Sequence, residues 1–339
     1  KVWPKLASEE KISPVNASPD SNSVPAGEGQ PSNVPITWPA TSNAARTPLP
    51  DGPSGLVHKL VGHESFIQSI SFSSDGKTVA SSAVDKTVRL WNVKTGKEIH
   101  QFDSGASDWV CTLAFSRSGD KVISGRSYSK LPKVQLLDVA SGNVAHEYHG
   151  DEGLVLCVDI SPDGQKVASL ERPGKVNVWN TQTGRLLHTV STGIAVAAGG
   201  VRFLPDGSHL LINCDDEEYG TRLWSLASNK EIRRFDQSQT RCRNIAVSSD
   251  GQRFATSDGS RVNLFDVSRT RRFRILPIDG LATQIAWLPD GKSLVTAEQR
   301  RLRIWDVETG KEVYRDDADT NRFKYVAVSP DGRFVVTGG

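Results

Sequence analysis

Ser161-Pro162-Asp163-Gly164 has the residue types of a type I turn: serine first, proline second and glycine fourth. A turn of this kind recurs with its glycine at Gly76, Gly119, Gly164, Gly207, Gly251, Gly291 and Gly332. The successive spacings are 43, 45, 43, 44, 40 and 41 residues. Between the turns run short β-branched stretches. Spacings in this range then belong to the blades of a propeller.

The agreement extends beyond the turn. Nine, six and four residues before each glycine stand Ile67/Ile70/Phe72, Val110/Leu113/Phe115, Val155/Val158/Ile160 and Ala198/Val201/Phe203. The series continues with Cys242/Ile245/Val247, Ala282/Ile285/Trp287 and Phe323/Val326/Val328, where Cys242 fills an apolar slot. The last two of each set are two apart, as one face of a strand requires. Each unit therefore opens with a strand, a tight turn and a second strand. A third strand follows, as in Val88-Arg89-Leu90-Trp91-Asn92, Val176-Asn177-Val178-Trp179-Asn180 and Leu302-Arg303-Ile304-Trp305-Asp306. Next comes a Thr-Gly or Ser-Gly pair (Thr95-Gly96, Ser141-Gly142, Thr183-Gly184, Thr309-Gly310), where glycine permits positive φ in a hairpin. A fourth strand then returns through Ile99-His100-Gln101-Phe102 and its counterparts.

These residues resemble the WD-repeat β-propeller family, in a degenerate, Ser-Pro-Asp-Gly-rich style similar to bacterial examples. The resemblance covers Gly55 to Gly339. It implies a seven-bladed β-propeller of four-stranded antiparallel blades around a central channel. The seventh unit reads through only its first two strands, 323–328 and 333–337, so its third strand is expected to be missing. Val57-His58-Lys59-Leu60 has fourth-strand register, and 55–60 is expected to close that last blade in part. The expectation is an open slot in the seventh blade and about ten further residues beyond Gly339 in the native protein.

Residues 1–54 carry ten of the seventeen prolines, with much Ser, Asn, Ala and Gly. Such a segment buries too little to offset the entropy of ordering it, which predicts a disordered linker. Trp3 and Trp38 either dock somewhere or are occasional exposed aromatics. The 339 residues carry a net charge of +2, which gives no global bias toward nucleic acid or acidic lipid. No apolar run is long enough for a membrane helix, and no signal peptide is evident. Four scattered cysteines describe no disulfide framework. The absence of any methionine, including at residue 1, reads as a piece of a longer protein or a processed form.

Few residues invite a chemical reading. His58, His100, His146 and His188 occupy one repeat position on the outermost strand, too far apart around a ring to share a metal. His146-Glu147-Tyr148-His149 is one residue short of a zinc-protease motif, and on a strand His146 and Glu147 point to opposite faces. His63, Ser81 and Asp85 have the types of a hydrolase triad. The family resemblance implies instead that His63, Ser81, Asp85 and Trp91 form a buried structural tetrad, in which the indole N–H supplies a donor. Other units keep fragments of it, such as Thr296 with Trp305. Cys111 and Cys157 read as ordinary core or half-core thiols. No catalytic residue, metal or cofactor is assigned.

The expected function is a non-catalytic protein–protein interaction scaffold or recognition module within a longer multidomain protein. The alternative is a propeller-type enzyme or small-ligand-binding propeller acting at the central channel. Protein or peptide partners are expected, with no nucleic acid and no membrane contact by the domain itself. The arginines Arg269, Arg271, Arg272 and Arg274 are read as a solvated edge. No compartment is assigned; a soluble domain of this kind is compatible with a cytoplasmic place or with tethering outside a bacterial membrane through the linker. Departures from the repeat gather before the first strands and between second and third strands, which predicts the binding face. Its candidates are Trp109, Arg126, Tyr128, Asp215, Asp216, Tyr219, Arg241, Arg300, Arg301 and Arg322.

Overall fold

A computed structural model describes residues 2–3, 58–103, 109–126, 134–150, 153–192, 199–214, 220–235, 244–258, 260–298, 301–317 and 324–338. The described residues contain strands and turns and no helix. Six antiparallel sheets of four strands span 67–103, 110–148, 155–191, 199–235, 244–277 and 282–317, each with its strands in chain order. A seventh, three-stranded sheet consists of Tyr325–Val328, Val335–Gly338 and Val2–Trp3.

Alternation explains how the sheets stack. The apolar sets of first, second and third strands leave both faces of each sheet uncovered, and each face buries against a neighbour. Sheets one and two share a core around Leu90, Phe102, Leu113 and Val122. Equivalent cores join two to three, three to four, four to five, five to six and six to seven. The last core closes the ring, with Ala327 and Val336 of sheet seven packed on Ile70, Phe72 and Trp91 of sheet one.

The glycines of the first turn all have φ between +62° and +75°. At Gly164 a Cβ would meet nothing within 4 Å, so backbone conformation alone selects glycine there. Ser161 organises the same turn: its Oγ donates to Asp163 Oδ1 (2.5 Å) and accepts from Lys166 N–H (2.9 Å). In sheet four Asn229, at φ 51°, replaces the glycine of the later hairpin, a substitution asparagine tolerates.

The uneven nine-six-four spacing has a structural cause. The pairing of first with second strand shifts register between Ile67 and Ser69, Val110 and Thr112, Val155 and Cys157, and Ala282 and Gln284. One extra residue at each bulge turns a three-residue step into two inward side chains. A second bulge recurs in all six complete sheets just before the third-strand aromatic or its replacement, as at Leu90/Trp91 and Ile304/Trp305. Bulges increase twist, which suits sheets that extend from a narrow channel to a wide perimeter.

Sheet seven departs from the sequence expectation. Its third-strand place is occupied over two residues, with Val2 opposite Val336 and Trp3 opposite Val335. In complete sheets the residue three after the turn glycine faces the third-strand aromatic, as in Val79–Trp91, Val167–Trp179 and Leu294–Trp305. Val335 stands three after Gly332, so Trp3 falls in that register. The expected open slot is therefore filled at this point, by residues read as linker. Residues 58–60, expected to pair as a closing strand, form no ladder. His58 nevertheless sits where fourth-strand register puts it: a Cβ on Gly96 of sheet one would lie 2.9 Å from its Cγ, and its Nε2 is 2.9 Å from Lys94 O. His100 lies likewise over Gly142 of the next sheet, and Arg274 over Gly310.

Candidate functional site

The inner strands line a channel, and their side chains bond from sheet to sheet around it. Leu113 N–H donates to Ser69 Oγ (3.3 Å), Val158 N–H to Thr112 Oγ1 (3.3 Å) and Phe203 N–H to Asp159 Oδ2 (2.7 Å). Asn213 Nδ2 donates to Asn244 O (3.5 Å), Asn244 Nδ2 to Thr283 O (2.6 Å) and Val326 N–H to Gln284 Oε1 (3.0 Å). Tyr325 completes the belt by donating to Gln68 Oε1 (3.3 Å), across 257 residues of chain. Where sheets four and five meet, Gly200 leaves the space, because a Cβ there would lie 2.6 Å from Ile245 Cγ2. The belt makes the ring rigid and the loops above it a fixed platform.

Exposed apolar side chains mark one end of the channel. Trp109 stands ten residues before its turn glycine, as expected, and is 47% exposed. Phe66 (62%) and Leu281 (36%) hold the same register and are exposed too. The same count of ten marks both in the sequence. Lys324 Nζ lies 4.8 Å from the Phe66 ring centroid, a cation–π contact joining sheets seven and one at the rim.

Two arginines of the expected face are engaged within their sheets. Arg126 shares a strand face with Val122 and Ser124, so its side chain turns into the sheet stack; it is 2% exposed, with Nη2 3.9 Å from Glu147 Oε1. Arg301 opens a third strand and pairs through Nε with Asp317 (3.0 Å) and through Nη1 with Asp279 (3.6 Å). Tyr128, Asp215, Asp216, Tyr219, Arg241, Arg300 and Arg322 lie outside the described residues.

The structure brings His63, Ser81, Asp85 and Trp91 together. Trp91 Nε1 donates to Ser81 Oγ (2.8 Å), and Ser81 Oγ lies 2.7 Å from His63 Nε2. His63 Nδ1 lies 2.8 Å from Asp85 Oδ2. One proton arrangement satisfies all three contacts: Ser81 donates to Nε2 and a protonated Nδ1 donates to Asp85. Asp85 also accepts from Glu64 N–H (3.0 Å), Thr87 N–H (3.0 Å) and Thr87 Oγ1 (2.7 Å). Burial opposes its charge, but these donors together hold its pKa below the usual carboxylate value. Burial pulls the His63 pKa down, outweighing the attraction of Asp85, so the neutral ring is favoured. The geometry copies a serine triad. Ser81, however, is buried, and the adjoining cavity of about 60 Å³ is lined by Ile70, Trp91 and Val336 among others. That volume holds about two waters and no acyl substrate.

Other sheets solve the same problem differently. In sheet six Trp305 Nε1 donates to Thr296 Oγ1 (3.0 Å), which lies 3.0 Å from Glu298 Oε1. Arg303, 2% exposed, sits 3.3 Å from Glu298 Oε2, 2.9 Å from Asp279 Oδ2 and 3.5 Å from Glu312 Oε2. Burial raises the Glu298 pKa although Arg303 opposes the shift. In sheet three Ser169 Oγ donates to the fully buried Glu171 Oε1 (2.7 Å), and Gly150 leaves room for that carboxylate. Sheet four has Ile212 in the hydroxyl position, and Trp224 turns its N–H to Asn229 Oδ1 instead (3.3 Å). The carboxylates were missed in the sequence, although Ser169-Leu170-Glu171 and Thr296-Ala297-Glu298 show a hydroxyl followed two residues later by glutamate.

Comparison with known proteins agrees with the repeat geometry. Residues 54–92, 142–180 and 279–306 match the family model of the WD domain, G-beta repeat. The chain is 26% identical over 288 residues to the small ribosomal subunit protein RACK1 of Caenorhabditis elegans, covering 69% of this chain and 86% of that protein. It is 24% identical over 325 residues to the guanine nucleotide-binding protein subunit beta of Arabidopsis thaliana, covering 86% and 84%. It is also 25% identical over 277 residues to the apoptotic protease-activating factor 1 of Rattus norvegicus, where 82% of this chain corresponds to 19% of the relative. Three stretches of the chain thus match the WD-type repeat, and the described sheets stack as a β-propeller.

Proposed function

We propose that the chain is a seven-bladed WD-repeat propeller that serves as a non-catalytic platform for protein or peptide partners. Recognition is assigned to the face around Phe66, Trp109 and Leu281. The observation that carries this is the exposure of large apolar side chains at one repeat register around the mouth of a rigid channel. Aromatic residues on a fixed scaffold are favoured anchors of interfaces. The turns on the opposite face are short and uniform and offer little to recognise. Two relatives are named as subunits of larger assemblies, a ribosomal subunit and a guanine nucleotide-binding protein, which fits a docking role. By chain position Tyr128, Asp215, Asp216, Tyr219, Arg241, Arg300 and Arg322 belong to loops of the same face.

The His63–Ser81–Asp85–Trp91 set is a tie between strands in this reading. Its serine is committed to the indole and the imidazole, and the small cavity beside it leaves no room for an acyl substrate. The test is affinity capture from native extract with wild type, Phe66→Ala/Trp109→Ala, and Lys77→Ala/Asp163→Asn on the opposite turns. Partners should be lost with the first pair and retained with the second. The reverse pattern, or ester hydrolysis abolished by Ser81→Ala, overturns the proposal.

A further inference from the structure

Below the apolar rim the channel holds a cavity of about 320 Å³, within the range of small-ligand sites. Among the described residues its lining contains two cations, Arg202 and Lys324, and no carboxylate. The rest of the polar wall is neutral, with Asn244, Gln284 and Tyr325 already tied into the belt.

Arg202 is built into the wall rather than resting on it. Its Nη1 donates to Cys157 Sγ (2.8 Å), Val201 O (2.8 Å) and Val158 O (3.4 Å), which fixes the guanidinium against sheet three. Its Nε and Nη2 take no partner among the described residues and are not sealed from solvent. Burial alone lowers the pKa of the group, but the fields of Cys157 and Asp159 reverse that and hold it above the usual value. Asp159 acts on Arg202 through its field and not by direct contact. Its Oδ2 accepts from Phe203 N–H, it makes no ion pair with Arg202, and it lies outside the lining.

We propose that this cavity binds a carboxylate, held by the open edge of the Arg202 guanidinium, with Lys324 at the entrance. Two adjacent N–H groups of one guanidinium match the two oxygens of a carboxylate. A cation in a polar, partly enclosed channel attracts an anion more strongly than one at an open surface does. The inference deepens the proposed function by naming what enters the recognition face, either a free dicarboxylate or an acidic side chain of a bound peptide. It rests on that reading only for the peptide source.

The test is calorimetric titration of the whole chain with succinate and with neutral succinamide, in low-chloride buffer. Succinate should bind saturably at one site, and succinamide at least about tenfold more weakly, the loss expected for a charge-assisted pair. Arg202→Gln should weaken succinate by a similar factor, and Lys324→Gln by about two- to fivefold through lost steering and attraction. A capped pentapeptide with one central Glu, against its Gln counterpart, distinguishes the two sources of the carboxylate. Absence of saturable succinate and Glu-peptide binding, or equal affinity for succinate and succinamide, overturns the proposal. If Arg202→Gln does not fold, the wild-type pair of ligands and Lys324→Gln still decide. Loss of protein partners on mutating Phe66 and Trp109 is read separately, so failure of the carboxylate site leaves the platform reading standing.

Discussion

Sheets one and six keep the same indole in the same place and anchor it by opposite electrostatics. In sheet one Trp91 bonds to Ser81, and the chain ends on a neutral imidazole backed by an aspartate with four donors. In sheet six Trp305 bonds to Thr296, and the chain ends on a buried glutamate backed by an arginine with three carboxylates around it. What these two sheets share is thus a hydroxyl bonded to the indole and a polar group paired behind that hydroxyl. The identity of the pairing group is free. Sheet four shows the limit: with isoleucine in place of the hydroxyl, the indole finds a partner in its own hairpin.

The comparison breaks most visibly at Arg303. Replacing it by alanine leaves Glu298 buried without its counter-charge, and the expected loss is about 3–5 kcal/mol, measured by chemical denaturation. Glu298→Leu combined with Arg303→Met should recover much of that loss, since a well-packed apolar pair often replaces a buried ion pair without cost. If Arg303→Ala alone is neutral, the sheet-six chain is not a tie. Asp85→Ala should cost less, about 1–3 kcal/mol, because it takes the acceptor from neutral, only partly buried donors of His63, Glu64 and Thr87 rather than stranding a charge.

The two sheets should also answer pH in opposite directions. The His63 pKa is lowered on folding, so its unfolded form takes protons first as pH falls below 6.5. Sheet one then loses stability as pH drops from 6.5 toward the folded value. Asp85, also lowered, adds a loss in the same direction below the ordinary carboxylate value of 3.8. The Glu298 pKa is raised on folding, so sheet six loses stability as pH rises from 4.5 toward its folded value. Difference curves settle this: subtracting the His63→Gln profile from wild type should leave a contribution that grows with pH near 6. Subtracting the Glu298→Gln profile should leave one that declines with pH above 4.5. The same sign in both would show that the two chains are not electrostatic opposites. The smallest effect belongs to the rim. Trp109→Ala should change stability by no more than about 0.5 kcal/mol while removing partner capture.

Much of the fold was legible because a propeller repeats its own instructions. The turn glycines, the inward triplets and the third-strand aromatics each appear in nearly every unit, and among the described residues the triplets and aromatics fall on matching strands and the glycines in matching turns. The tetrad of sheet one was legible for the same reason, from residue types at family positions. The carboxylate ties were not, because Glu171 and Glu298 sit at strand ends where exposed acids are common. Only the partner across the sheet, Arg303 for Glu298, makes the buried position tolerable. Arg126 misled in the mirror-image way, since its place beside an irregular hairpin concealed a side chain directed into the stack.

The sequence by itself determined the unit, its number of copies, its turns and the register that puts an aromatic opposite a hydroxyl. All of these depend on residues within one period, where strand alternation and turn stereochemistry are local rules. The tertiary structure alone decided what meets across periods. It set Arg202 against Cys157, 45 positions away, and Tyr325 against Gln68, 257 away. It placed Val2 and Trp3 on the edge of the last sheet rather than in a linker. The physical reason is that ring closure juxtaposes the first strands of neighbouring sheets around a common axis. Their places recur once per unit, but the residue types found there do not repeat, and only the closed ring brings the last sheet against the first.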